Sequence, residues 1–285
     1  MKILITGGKG MVGGLLVEAL KSGNSVFAPG REELDVAADR GNVIRTIGDF
    51  KPDVVLHCAA FTDVDGCEAD WKKAYLVNGL GTQHVAEGCA EAGSTMIYFS
   101  TDFVFDGKKG RPYSEADNPS PLSVYGESKL LGEYYVSRLL NRFIIVRVSR
   151  IFGRNGRNFS SVLPRLMRER NRFILTDDLV NSPTYADDLV RATVFLLEKR
   201  VLGIVNVCNR GECSWYEYGT KVRDILKARD VELVPVRFSG FKKGQAERPC
   251  YSVLSTRLLE TIGFSMPDWE YSLAIYLKNF HPLSC

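Results

Sequence analysis

Histidine is scarce in this chain, three in 285 residues, and His57, His84 and His281 lack the spacing of a metal-ligand set. They are expected to be structural or surface residues, and no metal is expected. The seven cysteines, Cys58, Cys67, Cys89, Cys208, Cys213, Cys250 and Cys285, stand singly without one CxxC pair, and their number is odd. A disulfide frame is therefore not expected, and a reduced, cytoplasmic protein is the simplest reading. No apolar run approaches the ~20 residues that span a bilayer. The opening "MKILITGG" holds too few apolar residues before glycine for a signal peptide. Charge of one sign is missing too: 37 Lys and Arg against 34 Asp and Glu leave a net +3, without a basic block. Neither a nucleic-acid nor a membrane partner is expected. Internal repeats and low-complexity linkers are absent as well.

What is present is an ordinary globular composition, 45% hydrophobic and 25% charged, in a chain long enough for a sizeable core. "KILIT" (2–6), "SVFAP" (25–29), "DVVLHCAA" (53–60), "TMIYFS" (95–100) and "FIIVRVS" (143–149) read as buried parallel strands. Between them, 11–22, 39–49, 68–92 and 122–140 read as helices. This alternation predicts an α/β fold, a doubly wound parallel sheet of the Rossmann type with right-handed crossovers. After about residue 153 the alternation breaks down into a helix near 158–170, a helix at 187–199 and a strand at 203–208, then short helices and loops. The expected division is a nucleotide-binding domain over 1–152, to which 177–212 return, and a smaller, less regular substrate lobe over 153–176 and 213–285. Ligands bind beside strand ends in such sheets.

"ITGGKGMVGG" (5–14) follows the first strand and opens the first helix, with Gly8-x-Gly10-x-x-Gly13 overlapping Gly7-x-x-Gly10-x-x-Gly13. Glycines there permit a tight turn and let backbone N–H groups approach a pyrophosphate at the positive helix end. A dinucleotide site is expected. After the second strand, "GREELD" offers Arg31 first, a cation suited to the 2′-phosphate of NADPH, but Glu32 and Glu33 follow at once, so NADH stays open. Asp35 and Val36 lie where the adenine edge could be met.

In "YGESK" (125–129), Tyr125 and Lys129 stand at i and i+4 on one helix face. An unperturbed phenol near pKa 10 exchanges protons sluggishly, and lowering it by about three units takes roughly 4 kcal/mol of preferential phenolate stabilisation. A partly buried ammonium and a cofactor's positive ring are expected to supply it. "YFSTDFVFDG" (98–107) ends the fourth strand with Ser100, Thr101 and Asp102, at the strand end that faces the ligand crevice. Hydroxyls there can polarise a substrate carbonyl.

The ordered segments "TGGKGMVG", "CAAFTDVDGCE", "VNGLGT", "STDFVFDG", "YGESKLLGE", "NSPTYADDL", "SWYEY" and "RPCYSVL" resemble those of extended short-chain dehydrogenases/reductases, specifically the dTDP-4-dehydrorhamnose reductase family. The resemblance implies reduction, with NAD(P)H, of a dTDP-linked 4-keto-6-deoxy sugar to dTDP-L-rhamnose. It implies Tyr125 as proton donor, Lys129 as its partner and Thr101 as the hydroxyl that stabilises charge on the reacting oxygen. It places Gly7, Gly10, Met11, Val12 and Gly13 at the pyrophosphate turn, and Asp35 and Val36 at the adenine. Ala59 and Ala60 come beside the adenosine–nicotinamide path.

The chain departs from the family at Arg150, where "RVSRIFG" replaces a Trp that usually meets the sugar. Arg150 could instead grip the diphosphate or a more oxygenated sugar. A family position that binds a divalent ion corresponds to Leu15, in keeping with no metal. Arg157, Asn158, Phe159 and Arg248, together with Asp102, are candidates to hold the sugar nucleotide, whereas Ser214, Trp215 and Tyr216 are expected to anchor a lobe helix. Three alternatives stay open: a sugar-nucleotide epimerase with retained NAD, a non-catalytic regulatory subunit of the methionine adenosyltransferase beta type, and, for assembly, a homodimer. A 4,6-dehydratase is disfavoured, because Phe103 stands where its Asp-Glu pair would continue after Asp102.

Overall fold

The computed structural model describes residues 1–240 and 246–279. The first half alternates strand and helix: β1 (Lys2–Thr6), α1 (Met11–Leu20), β2 (Ser25–Phe27), α2 (Arg40–Phe50), β3 (Val54–His57), α3 (Val64–Ala69), α4 (Trp71–Ala74), α5 (Gly81–Ala92), β4 (Thr95–Thr101), α6 (Val124–Leu139) and β5 (Phe143–Val148). The second half holds β6 (Ile151–Phe152), α7 (Phe159–Glu169), β7 (Arg172–Thr176), β8 (Thr184–Tyr185), α8 (Ala186–Glu198), β9 (Gly203–Asn206), α9 (Trp215–Leu226), β10 (Glu232–Val236), α10 (Arg257–Thr261) and α11 (Trp269–Lys278).

Six strands form one parallel sheet in the order β2-β1-β3-β4-β5-β9. Strand alternation explains why both faces are covered. Ile3, Ile5, Leu56, Ile97 and Val146 point to one face, where they meet Leu15, Leu16 and Leu20 of α1 and Leu189, Ala192 and Leu196 of α8. Leu4, Val55, Met96 and Ile145 point to the other and meet Ile47 of α2, Val85 and Cys89 of α5 and Val136 of α6. Strands buried on both sides read as continuous apolar runs, which is why this part was legible in sequence. The chain turns one way from β1 to β2 and the other way from β1 to β3, so the topological switch lies between the carboxyl ends of β1 and β3.

The boundaries need small corrections. The strands expected over 53–60 and 203–208 stop at His57 and Asn206, and the "CAA" run becomes loop. The single helix expected over 68–92 is a broken series, with a π-helical turn at Tyr75–Leu80 between α4 and α5. The later part is more regular than its sequence implied: β7 and β10 pair in parallel, and α9 and α11 run 12 and 10 residues. β7 was hidden because its outer face is open to solvent and its partner carries Pro235, both weak strand signals. Phe152, Tyr185, Tyr218, Trp269 and Tyr276 gather there in a second, aromatic core with Leu163, Leu233 and Leu273.

Candidate active site

The glycine turn sits at the switch point. Gly7 has φ +68, and a Cβ on it would stand 2.7 Å from the Ala59 backbone nitrogen, so only glycine lets the β3 loop close on the turn. A Cβ at Gly13 would stand 2.3 Å from the Gly7 oxygen. Gly10 caps α1 without any side chain, and no acidic residue stands in the first helical turn. The N–H groups of that turn, with the positive end of the helix behind them, are the kind of donor set that suits an anionic group. Met11, Val12, Ala59 and Ala60 are half-buried around it.

Beyond β2, Arg31 is exposed and donates to Asp35 at 2.9 Å, while Asp35 also accepts from the Ala37 N–H at 3.0 Å. Although burial alone would raise it, these bonds and Arg31's charge hold the Asp35 carboxyl below the usual range. Val36 is buried. Lys9, which carries no motif of its own, reaches across from the glycine turn to Glu32 at 3.4 Å. Two cations therefore flank this turn, each paired with an acid.

α6 starts where Ser123 accepts from the Gly126 N–H, which sets Tyr125 in the first turn and Lys129 one turn later. Gly126 lets the helix press on the loop after β4, since a Cβ there would lie 2.2 Å from the Phe103 oxygen. Tyr125 thus faces the Thr101 hydroxyl, and Phe103 edge to face at 5.8 Å. The structure sets Tyr125 beside Thr101 at the carboxyl end of β4, with Lys129 one helical turn further on over the Tyr98 ring of the same strand.

Their electrostatics differ from expectation. The Tyr125 phenol is pushed up, not down: burial dominates, the Thr101 bond opposes it, and the Asp102 charge adds to it. Lys129 is buried, with its Nζ 4.1 Å from the centre of the Tyr98 ring. Burial drives its ammonium down to about 7, against the opposing pull of Glu133 one turn on. Glu133 is itself locked. It accepts from Arg147 Nε at 3.0 Å and Nη2 at 2.7 Å, and from Ser100 Oγ at 2.5 Å, all buried.

Asp102 is buried with both oxygens engaged. Oδ1 accepts from Thr101 at 3.2 Å, and Oδ2 accepts from Ser149 at 2.9 Å and Ser252 at 2.5 Å. Burial pushes its carboxyl up to about 6, and the three hydroxyls pull the other way. Asn78, in the π-turn, accepts from the Phe61 N–H and donates to the Phe61 oxygen and to Ser128, which fixes α6 against the loop after β3. Glu133 was readable from its i+4 spacing to Lys129. Ser149, Ser252 and Asn78 carried no comparable signal.

Several candidates have other partners. Arg150, at φ +36, lies 4.1 Å over the Trp215 ring and donates to the Ser214 and Leu179 oxygens and Cys213 Sγ. Its guanidinium is committed to the later segment. Asn158 caps α7, Arg157 is exposed, and Arg248 pairs with Asp65 at 2.8 Å. Ser214 forms a capping box with Glu217 at the start of α9, the anchoring role expected of that segment. Buried His57 lies between Thr6 and Thr82, and His84 bonds the Val36 oxygen. His281 and Cys285 lie outside the described residues. Leu15 belongs to the core. Among the described residues no helix is long and apolar enough to cross a membrane.

The chain is similar to known proteins over nearly its whole length. The spore coat polysaccharide biosynthesis protein SpsK of Bacillus subtilis is 36% identical over 280 residues, 98% of this chain and 97% of that protein. The dTDP-4-dehydrorhamnose reductase of Burkholderia thailandensis is 32% identical over 296 residues, covering 98% and 99%. The crystal structure of dTDP-4-dehydrorhamnose reductase from Bacillus anthracis in complex with NADP superposes with a TM-score of 0.93 at 34% identity, covering 98% of this chain and 99% of that one. Residues 1–281 match the family model described as the RmlD substrate binding domain, and the chain belongs to that family.

Proposed function

We propose that the protein reduces a nucleotide-linked 4-keto-6-deoxy sugar with NADPH, the substrate being dTDP-4-dehydro-L-rhamnose and the product dTDP-L-rhamnose, a precursor of cell-surface polysaccharide. The coarser statement, a nicotinamide-dependent sugar-nucleotide oxidoreductase, follows from family membership. The observation that carries the finer reading is the convergence of Thr101, Tyr125 and Lys129 on the carboxyl end of β4, beside the uncapped α1 turn. The reaction is placed in the cytoplasm, where its cofactor is reduced.

In this reading, bound NADPH supplies the hydride that reduces the C4 carbonyl. The α1 N–H groups hold the pyrophosphate, and Arg31 and Lys9 meet the 2′-phosphate. Tyr125 gives its proton to the C4 oxygen as negative charge grows there. Burial keeps that phenol protonated at neutral pH, the form a donor needs. Thr101 donates to the same oxygen, and Lys129 holds positive charge beside the nicotinamide ribose. Asp102, Arg150, Arg157, Asn158 and Arg248 border the sugar-nucleotide side, with Asp102 and Arg150 acting from beneath rather than by direct grip.

The test is to mix the protein with dTDP-4-dehydro-L-rhamnose and NADPH, then NADH, following the reduced-nicotinamide absorbance and identifying the sugar product. Oxidation with formation of dTDP-L-rhamnose, faster with NADPH, supports the proposal. Cofactor binding without oxidation rejects this substrate.

A further inference from the structure

Thr101 has more partners than its one hydrogen can serve. A threonine hydroxyl carries one donor and two acceptor sites. Here Oγ1 accepts from the Phe103 N–H at 3.2 Å, donates to Asp102 Oδ1 at 3.2 Å, and stands beside the Tyr125 hydroxyl. An ionised Asp102 can only accept, so it takes the Thr101 hydrogen. Tyr125 must then donate to the remaining Thr101 acceptor site, and both hydrogens point inward, away from a substrate oxygen.

Protonation of Asp102 reverses this. Ser149 and Ser252 both donate to Oδ2, which leaves Oδ1 as the oxygen that carries the acid hydrogen and faces Thr101. That hydrogen and the Phe103 N–H fill both Thr101 acceptor sites. The Thr101 hydrogen must then turn outward, to Tyr125 or to the reacting oxygen, and the Tyr125 hydrogen is released toward the substrate.

We propose that Asp102 is a positioning residue whose protonation on Oδ1 orients the Thr101 and Tyr125 hydroxyls for proton donation, and whose ionisation turns them away. The inference rests on the reading of Tyr125 as proton donor. Ser252 gives it a second element, because the segment that carries Ser252 is bridged to the rest of the fold through Val180–Tyr251 and Tyr113–Leu254. The charged and titratable groups that feel the Asp102 charge are Tyr125 from α6, Arg150 after β5 and Cys208 after β9. On Asp102 itself burial favours the acid and the Ser252, Ser149 and Thr101 hydroxyls favour the carboxylate; burial prevails, and the group titrates at about 6.

The experiment has a spectroscopic and a kinetic arm. Infrared difference spectra of the protein with bound NADP+ should show a protonated-carboxyl band that titrates near 6 and vanishes in Asp102→Asn. Absence of such a band between about pH 4 and 8 overturns the proposal whatever the substrate proves to be. In the kinetic arm, kcat/KM for sugar-nucleotide reduction should fall about 10²-fold as pH rises through that midpoint, the low end of the range for loss of one oxyanion donor. In Asp102→Asn the amide can donate to Thr101 permanently, so this limb should disappear. Ser252→Ala removes a donor to the carboxylate and should move the midpoint upward while keeping the low-pH plateau. A limb near 6 that persists in Asp102→Asn, as distinct from the Lys129 limb near 7, or a midpoint unmoved in Ser252→Ala, contradicts the inference. A wild type that binds NADPH but reduces no 4-keto sugar nucleotide rejects the functional reading and takes this orientation role with it, even where the carboxyl band titrates as expected.

Discussion

At Tyr125 two effects oppose each other, and their balance decides which reaction the site can run. Burial favours the neutral phenol, the Thr101 hydrogen bond favours the phenolate, and burial wins. The sequence suggested the reverse because the i+4 spacing of Tyr125 and Lys129 is visible, whereas desolvation is not. Lys129 pays for the same burial: its ammonium is driven down to about 7 while lying over the Tyr98 ring. The charged form is therefore present below about 7 and lost as pH rises through it. Reduction should fall across that window, and Lys129→Met should remove this limb while lowering kcat about 10²-fold or more, as a pH–rate profile with NADPH would show. His57 gives the matching prediction for stability. Burial and the Lys129 charge depress it from 6.5 to about 3 in the fold, so the unfolded chain binds the extra proton between those values. Stability contributed by the neutral ring is full above about 6.5 and should be lost progressively as pH falls toward about 3, by several kcal/mol at most. Urea unfolding at pH 7 and pH 4.5 should reveal this slope, and His57→Gln should flatten it.

At the scale of elements, the site depends on how α6 is held. Ser123 caps it, Gly126 lets it approach the β4 loop, and Asn78 ties it through Ser128 to the loop after β3. The π-turn at Tyr75–Leu80 is what places Asn78 inward, where its amide serves Phe61 and Ser128 together. Replacing it leaves buried donors and acceptors unmatched, each at about 1–3 kcal/mol. Asn78→Leu should thus destabilise by about 3 kcal/mol or more in urea unfolding, and should lower kcat more than NADPH affinity. A loss below about 1 kcal/mol would mean that the amide is not what holds α6.

Across the whole molecule, local chemistry was legible and distant partnership was not. The parallel sheet, the glycine turn and the Tyr125–Lys129 pair are each written within a few residues, by apolar runs, glycine spacing and helical period. Asp102 finds Ser252, Arg150 finds Leu179 and Ser214, and Arg248 finds Asp65 only once the chain has folded. No local pattern announces such pairs. β7 and β10 likewise find each other, across the elements between Thr176 and Glu232, only once the chain has folded.

The proposed mechanism turns on Tyr125 as the group that protonates the reduced sugar oxygen. The most direct test is single-turnover oxidation of NADPH by Tyr125→Phe against wild type, with dTDP-4-dehydro-L-rhamnose as substrate and cofactor affinity measured alongside. The account predicts a fall of about 10² to 10⁴ in rate with NADPH affinity kept within a factor of about three. A Tyr125→Phe enzyme that turns over within about tenfold of wild type would contradict it, and would move the proton donor to another group.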